Sequence, residues 1–303
     1  MKTAVGLIGL GAMGSGMAGS LRRAGHDVHV FDIRPGVAAA FAEQGGRACA
    51  SLPELAAACD VIVSVVVNAA QTEDVLFGPQ RDGSGCVAHM KPGSTFVMCS
   101  TVDPQFSIRM ESELEALGLR YVDAPISGGA ARAASGEMTM MTAAKPETYA
   151  QVDHLLDAMA AKVYRLGDRA GAGSKVKIIN QLLAGVHIAA AAEAMALGLR
   201  EGVDAHDLYE VITHSAGNSW MFENRMAHVL AGDYTPLSAV DIFVKDLGLV
   251  LDTARASKFP LPLSSTAHQM FMQASTAGHA REDDSAVIKI FPGITLPEGT
   301  KKA

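Results

Sequence analysis

The run Gly9-Leu10-Gly11-Ala12-Met13-Gly14 has the residue types and spacing of a loop that cradles a diphosphate. The first glycine permits a tight turn, the second lets a phosphate come against the backbone, and the third lets a helix pack on a strand. The run follows the apolar stretch Val5–Ile8 and opens a helical pattern. The N–H groups and positive end of that helix, with Ala12 and Met13 in the turn, would face the anion. Asp32 lies 18 residues past Gly14, at the close of the next strand pattern. An acid there accepts hydrogen bonds from adenosine ribose hydroxyls and repels a 2′-phosphate. Gly9, Gly11, Ala12, Met13, Gly14 and Asp32 are therefore the candidate cofactor-binding residues, and NAD is expected in preference to NADP. Arg34 pulls the other way, since a guanidinium accommodates a phosphate. On this motif alone, a glycine-rich turn that binds nothing and an FAD site both stay open, although the second half of the chain offers little to enclose a flavin.

Such a loop needs a sheet to stand on. Thr3–Ile8, Asp27–Phe31, Val61–Val67, Ser94–Met98 and Leu119–Asp123 are rich in Val, Ile and Phe, with Gly, Pro or Asp around them, which predicts strands. Between them, Met13–Ala24 places Met13, Met17 and Leu21 on one helical face before Gly25, and Ser51-Leu52-Pro53-Glu54 is a capping box. Strands alternating with helices predict a parallel sheet covered on both faces. Met138–Thr142 and Lys162–Leu166 are predicted to extend it. After about Ala170 the strand patterns stop. Lys175–Glu201 is one long helical pattern containing Ala189–Ala192, and helices are predicted near Ala205–His214, Met221–Leu230, Val240–Ser257 and Pro262–Thr276. The alanine run allows close helix packing, within one chain or across a subunit interface. The fold class expected is α/β: an N-terminal Rossmann dinucleotide-binding domain (1–168) plus an all-helical C-terminal domain (169–303) for substrate and oligomer contacts. The boundary is placed near Gly167–Ser174.

Composition excludes other classes. With 49% hydrophobic and 19% charged residues the chain is not disordered. A net charge of −7 argues against a nucleic-acid binder, which needs clustered positive charge. Cys49, Cys59, Cys86 and Cys99 form no CxxC pair and have no histidines at zinc spacing, so no metal site is expected, and unpaired thiols suit a reducing compartment. No apolar run is read as approaching the roughly 20 residues of a membrane helix. The amino terminus lacks the layout of a secretion signal. A cytoplasmic protein without membrane partners is expected.

Three more segments stand out: Asp123-Ala-Pro-Ile-Ser-Gly-Gly129, Gly171-Ala-Gly-Ser-Lys-Val-Lys177-Ile-Ile-Asn180 and Lys245-Asp246-Leu247. They resemble the signatures of the β-hydroxyacid dehydrogenases, in order over nearly the whole chain. Asn218-Ser-Trp-Met-Phe-Glu-Asn-Arg225 and Asp283-Asp-Ser-Ala-Val-Ile288 are most similar to members that oxidise the 2-hydroxyl of a four-carbon sugar acid. The resemblance implies a Rossmann domain joined to an all-helical one, with the site between them, and places the catalytic lysine at Lys177. Alcohol oxidation releases a proton, and a lysine takes it as general base when burial or a nearby cation disfavours its ammonium form. Composition alone would make Lys177 a surface residue. Lys175 lies roughly 200° round a helix from it and cannot share its site.

The same resemblance assigns the neighbouring groups. Gln181, one turn past Lys177 and preceded by Asn180, stands where many relatives carry a substrate-binding Asn. Ser127, Gly128 and Gly129 would hold the substrate carboxylate, though an ordinary glycine turn is the alternative. Ser100-Thr101 would put Thr101 near the nicotinamide ribose, or else cap a helix. Lys245, supported by Asp246, would close over the cofactor, or else be solvated charge. Some semialdehyde-reducing relatives carry Phe at the position of Ser238. A serine there leaves room and a hydroxyl, and each buried substrate hydroxyl without a partner costs about 1–3 kcal/mol. Ser238 and Asp241, with Asn218, Asn224 and Gln181, are the candidate partners. Trp220 is open to a core role and Arg225 to that of a helix-end charge.

The function expected is NAD-dependent oxidation of such a sugar acid by a homo-oligomer, dimer or tetramer, whose partner is the small-molecule substrate. The alternatives are a short semialdehyde reductase, a 3-hydroxyisobutyrate-type dehydrogenase, and a non-catalytic NAD-binding protein.

Overall fold

In the computed structural model, which describes residues 2–299, the chain divides into two compact units, 1–177 and 178–303. Six strands make the main sheet of the first: β1 (Ala4–Ile8), β2 (Asp27–Phe31), β3 (Arg47–Ala48), β4 (Val61–Ser64), β5 (Thr95–Met98) and β6 (Arg120–Asp123). All pair in parallel, in the order β3-β2-β1-β4-β5-β6. Every residue of β4 and β5 is buried, because helices cover both faces. The helices are α1 (Gly14–Arg23), α2 (Val37–Ala42), α3 (Leu52–Ala58), α4 (Ala69–Phe77), α5 (Pro104–Ala116), α6 (Gly129–Ser135) and α7 (Pro146–Met159).

Alternate side chains along the strands enter two cores. Val5, Leu7, Val28, Val61, Val63 and Val97 meet Met17 and Leu21 of α1 and Leu155 and Leu156 of α7. Ile8, Ile62, Phe96 and Met98 meet Leu55 of α3, Leu76 of α4 and Met110 and Leu114 of α5. Each such side chain contributes about 1.5–3 kcal/mol on burial, so a one-residue slip of any strand would be heavily penalised. The predicted cap forms in a shifted version: Ser51 Oγ accepts the Glu54 N–H at 3.3 Å, and Glu54 reaches back past Ser51 to the Ala50 N–H at 2.7 Å.

The expectation that residues 138–142 and 162–166 extend the main sheet is corrected. β8 (Thr139–Thr142) and β9 (Lys162–Arg165) form a separate sheet with β7 (Ile126–Ser127), in the order β7-β8-β9. Past β6 the chain meets Pro125, which has no N–H to continue a ladder, and β7 then pairs antiparallel with β8. One antiparallel bridge joins the sheets: Asp123 N donates to Ala143 O at 3.1 Å and Ala143 N to Asp123 O at 2.8 Å.

The second unit is helical. α8 (Ala172–Arg200) runs into it from the first unit, and α9 (Ala205–Thr213), α10 (Trp220–Ala231), α11 (Val240–Ala256) and α12 (Pro262–Ala274) follow. Asp204 caps α9 and Ser219 caps α10, while α12 opens on Pro262 at its first position. Ile188, Ala192 and Met195 of α8 pack with Met226, Phe243, Leu247, Phe271 and Val287, and the Phe243 and Phe271 rings lie 5.1 Å apart.

The reading that no apolar run is long enough to cross a membrane is also corrected. α8 passes that test by length and composition, with a mean hydropathy of 1.7, since few charges interrupt its alanine-rich middle. Its place in the fold accounts for this: Ala184, Ile188, Ala189, Ala191, Ala192 and Ala196 form the middle of the helical core.

All four cysteines lie in the first unit, free and buried. Burial pushes the thiols of Cys49 up to about 11 and of Cys59 and Cys86 up to about 12.

Close backbone contact sets α1 against α6. A Cβ at Gly16 would sit 2.4 Å from the Ala133 carbonyl carbon and 2.6 Å from the Ala134 nitrogen. Gly16→Ala should therefore force the two helices apart and cost about 1–3 kcal/mol. Urea unfolding checks this, and an unchanged midpoint would show that the contact yields without penalty.

Candidate active site

The glycine loop leaves the carboxyl end of β1. Gly9 has φ +90°, and a Cβ on it would lie 2.6 Å from Val65 O, just past β4. A Cβ on Gly14 would lie 1.8 Å from Gly9 O, so helix and turn are in backbone contact. Gly11 differs. A Cβ there would meet nothing within 4 Å, and its φ does not require glycine. The position instead leaves the space a phosphate needs to reach the backbone. α1, which starts after Ala12 and Met13, has neither a side-chain cap nor an acid in its first turn, so its positive end suits an anion.

Asp32 immediately follows β2, and its side chain is 4% exposed. Oδ2 accepts the Leu10 N–H at 2.7 Å, which ties the acid to the loop. Arg34 binds both oxygens, Nε to Oδ1 and Nη2 to Oδ2, each at 2.9 Å. This guanidinium, first among the causes, holds the carboxyl down at about 2, so Asp32 is ionised at any pH near neutrality. Arg34 is itself about half exposed, so Asp32 and Arg34 together present an acceptor and a cation at the end of β2. These residues fit a nicotinamide dinucleotide.

Ser100 and Thr101 follow β5. Ser100 is buried, donates to Val66 O at 2.8 Å and lies 3.0 Å from Thr72 Oγ1, whereas Thr101 is half-buried. Ser127 ends β7, and Gly128 and Gly129, with φ +137° and +74°, turn the chain into α6. Gly129 is exposed and Ser127 half-buried.

Lys177 is buried, 7% exposed, and so is not a surface lysine, while Lys175 is exposed. It lies one turn into α8, whose start is held from outside. Asp123, fully buried, accepts the N–H groups of Gly171 and Ser174 on Oδ2, at 2.8 and 2.9 Å, and the Ser174 hydroxyl on Oδ1 at 2.7 Å. Burial raises its pKa, and these donated hydrogen bonds oppose the rise. Glu111, also buried, takes Arg169 Nε at 2.9 Å and the Ala170 N–H at 3.1 Å. Neither acid was given a role from sequence. Asp123 begins a recognisable segment, but Glu111 carries no signal beyond being a charge on the inner face of α5.

In the second unit Gln181, Asp246 and Lys245 come together. Gln181 Nε2 donates to Asp246 Oδ2 at 2.6 Å, and Lys245 Nζ lies 2.6 Å from Oδ1 of the buried Asp246. Asn180 donates to Gln181 Oε1 at 3.0 Å, so both ends of that amide are engaged within the protein. Asp241, one turn before Lys245 on α11, is exposed and accepts Ser275 Oγ at 2.6 Å. Ser238 is half-buried, its carbonyl accepting the Asp284 N–H at 2.7 Å. The Asn218 amide nitrogen donates to Thr213 O and Glu223, while its buried Oδ1 has no hydrogen-bond partner among the described residues, and Asn224 Oδ1 accepts from Arg225.

Two readings from this stretch are reversed. Arg225 is not a helix-end charge but a buried partner of Asp284, which burial pushes up to about 6 against the pull of the guanidinium. Trp220 is not in the core: it starts α10 and is 47% exposed.

Fold and loop together define a nicotinamide-dinucleotide-binding oxidoreductase. Residues 4–167 match the family described as the NAD binding domain of 6-phosphogluconate dehydrogenase. Residues 171–291 match NAD-binding of NADP-dependent 3-hydroxyisobutyrate dehydrogenase. The chain is 67% identical to an L-threonate dehydrogenase of Cupriavidus necator over 98% of its own length and 99% of the relative's. It is 52% identical to one of Escherichia coli, over 97% and 96%. A crystal structure of 3-hydroxyisobutyrate dehydrogenase from Salmonella typhimurium shares the fold with a TM-score of 0.91 at 54% identity, covering 96% of this chain and 100% of that one. The chain belongs to the β-hydroxyacid dehydrogenase family.

Asp32→Ala should lower kcat/KM for NAD⁺ about 10–100-fold and narrow its lead over NADP⁺, because the released Arg34 can take a 2′-phosphate. Steady-state kinetics with both cofactors check it, and an unchanged ratio would remove Asp32 from cofactor selection.

Proposed function

We propose that this chain oxidises the 2-hydroxyl of L-threonate to 2-oxo-tetronate with NAD, Lys177 acting as general base. Full-length similarity to relatives named L-threonate dehydrogenase, at 67% and 52% identity, carries the substrate assignment. Bound NAD supplies the hydride acceptor. Lys177 Nζ takes the hydroxyl proton and returns it in the reverse direction. The Ser127 hydroxyl and the N–H groups of Gly128 and Gly129 hold the carboxylate. Gly9, Gly11, Ala12, Met13, Gly14 and Asp32 bind the adenosine diphosphate portion, and Thr101 and Lys245 the remainder of the cofactor. Gln181 supports Lys245 through Asp246, and Ser238 and Asp241 supply partners for the hydroxyls on C3 and C4.

A second reading, oxidation of 3-hydroxyisobutyrate, is favoured by the description of the Salmonella structure. Formation of NADH with a panel of L-threonate, D-threonate, D-erythronate, 3-hydroxyisobutyrate and 4-hydroxybutyrate decides between them. L-threonate should lead in kcat/KM. A lead for 3-hydroxyisobutyrate would replace the substrate and leave the mechanism standing. Lys177→Ala should abolish turnover while NAD still binds, and an active variant would take Lys177 out of the mechanism.

The domain assignment proposed is 1–168 for NAD and 169–303 for substrate and oligomer contacts. A homo-oligomer in the cytoplasm fits two observations. Ile179, Leu183, Ala190 and Leu197 are exposed and lie within about 40° of one another on α8, and the four thiols are unpaired. Leu183→Glu should lower the mass seen by light scattering, and an unchanged mass would exclude this stripe as the interface.

A further inference from the structure

We infer that Asp123 is a positioning residue, fixing the helix that carries Lys177 to the strand whose continuation carries Ser127. This deepens the proposed function and rests on the roles given there to Lys177 and Ser127. Asp123 is the last residue of β6, and Ser127 follows it by four residues. Through Ser174, the same side chain grips α8 one turn before Lys177.

A helix cap ordinarily comes from the residue beside the helix in sequence. Here the acceptor comes from a strand 48 residues before Gly171 and 51 before Ser174, so the cap is also a tether between elements. A carboxylate receiving two N–H groups and a hydroxyl makes charge-assisted bonds, stronger and more directional than neutral ones. Two further observations place the first turn of α8 on the strand ends. A Cβ on Gly173 would lie 2.3 Å from Met141 O and 3.1 Å from Asp123 O, so no other residue fits without moving the helix. Glu111 meanwhile fastens Arg169 and Ala170, just before the turn. Releasing Asp123 leaves the helix in place but free to shift by a fraction of an ångström along the strand end. A general base is sensitive to such a shift, since a misplacement of about 1 Å can cost about 100-fold in rate.

Asp123→Asn keeps the shape and removes the charge, and Ser174→Ala deletes one of the three bonds. The measurements are kcat, the NAD dissociation constant, the urea midpoint, and the deuterium isotope effect on kcat with L-threonate labelled at C2. Asp123→Asn should lower kcat about 10–100-fold and raise the isotope effect, with the NAD dissociation constant within about twofold of the parent. Ser174→Ala should do the same to a smaller degree. A folded Asp123→Asn with parental kcat overturns the inference, even if its urea midpoint falls. So does a kcat loss matched by an equal loss of NAD affinity, which would make Asp123 a general support. Should Asp123→Asn fail to fold, Ser174→Ala decides, and a parental kcat there overturns it. Lys177→Ala separates the two levels. If that variant is active the proposed mechanism fails, and if it is inactive while Asp123→Asn behaves as the parent, only the positioning role fails.

Discussion

The first unit is organised by the place where its strand order turns back, between β1 and β4. Successive crossovers depart from there in opposite directions, so no connection covers the carboxyl ends of those two strands. The glycine loop sits at this point. It is held by backbone meeting backbone, with Gly9 against Val65 and Gly14 against Gly9, and not by side chains that could repack. Contacts of that kind tolerate no change of register. The continuous apolar runs of β1, β4 and β5, committed to cores on both faces, prevent one.

Where the backbone leaves regular structure, acids take over. Asp32 collects an N–H from the glycine loop, Glu111 one from the approach to α8, and Asp123 two, from Gly171 just before that helix and from Ser174 in its first turn. Segments of this sort carry donors that neither ladder nor helix satisfies, and a buried donor left alone is expensive. A carboxylate can accept several at once, at the cost of desolvating its own charge. The balance differs from site to site: Asp32, beside a guanidinium, is held well below the ordinary carboxylate range, and Asp284 is raised to about 6 despite one. Desolvation offsets much of what a buried pair of the second kind gains, and breaking one leaves a stranded charge.

Much of this was legible in the chain. β1 and β2 announce themselves by runs of branched residues, and α11 by its period, because those signals are local. β3 and β7 span two residues each, too few for any pattern, and exist because a neighbouring strand offers a ladder. The sheet to which β8 and β9 belong turns on Pro125 and on the bridge from Asp123 to Ala143, a pairing that no window of sequence contains. The candidate site divides in the same way. Spacing singled out Asp32 as a candidate, and a family resemblance singled out Lys177. The burial of Lys177 and Arg225 and the exposure of Trp220 run against the usual fate of those residue types, since packing of distant helices decides them. Asp123 stood in plain view at the head of its segment, but its targets lie 48 and 51 residues away.

The distribution of two residue types gives this molecule a separate optical and chemical handle on each half. Every thiol belongs to the first unit, buried and with thiolate formation suppressed, so a thiol reagent gains entry only when that sheet opens. The sole tryptophan, Trp220, stands at the head of α10 in the second unit, where its emission reports on the start of that helix. Alkylation and fluorescence followed together in one denaturant series would therefore report whether the halves come apart in concert or in turn, with no label and no substitution introduced.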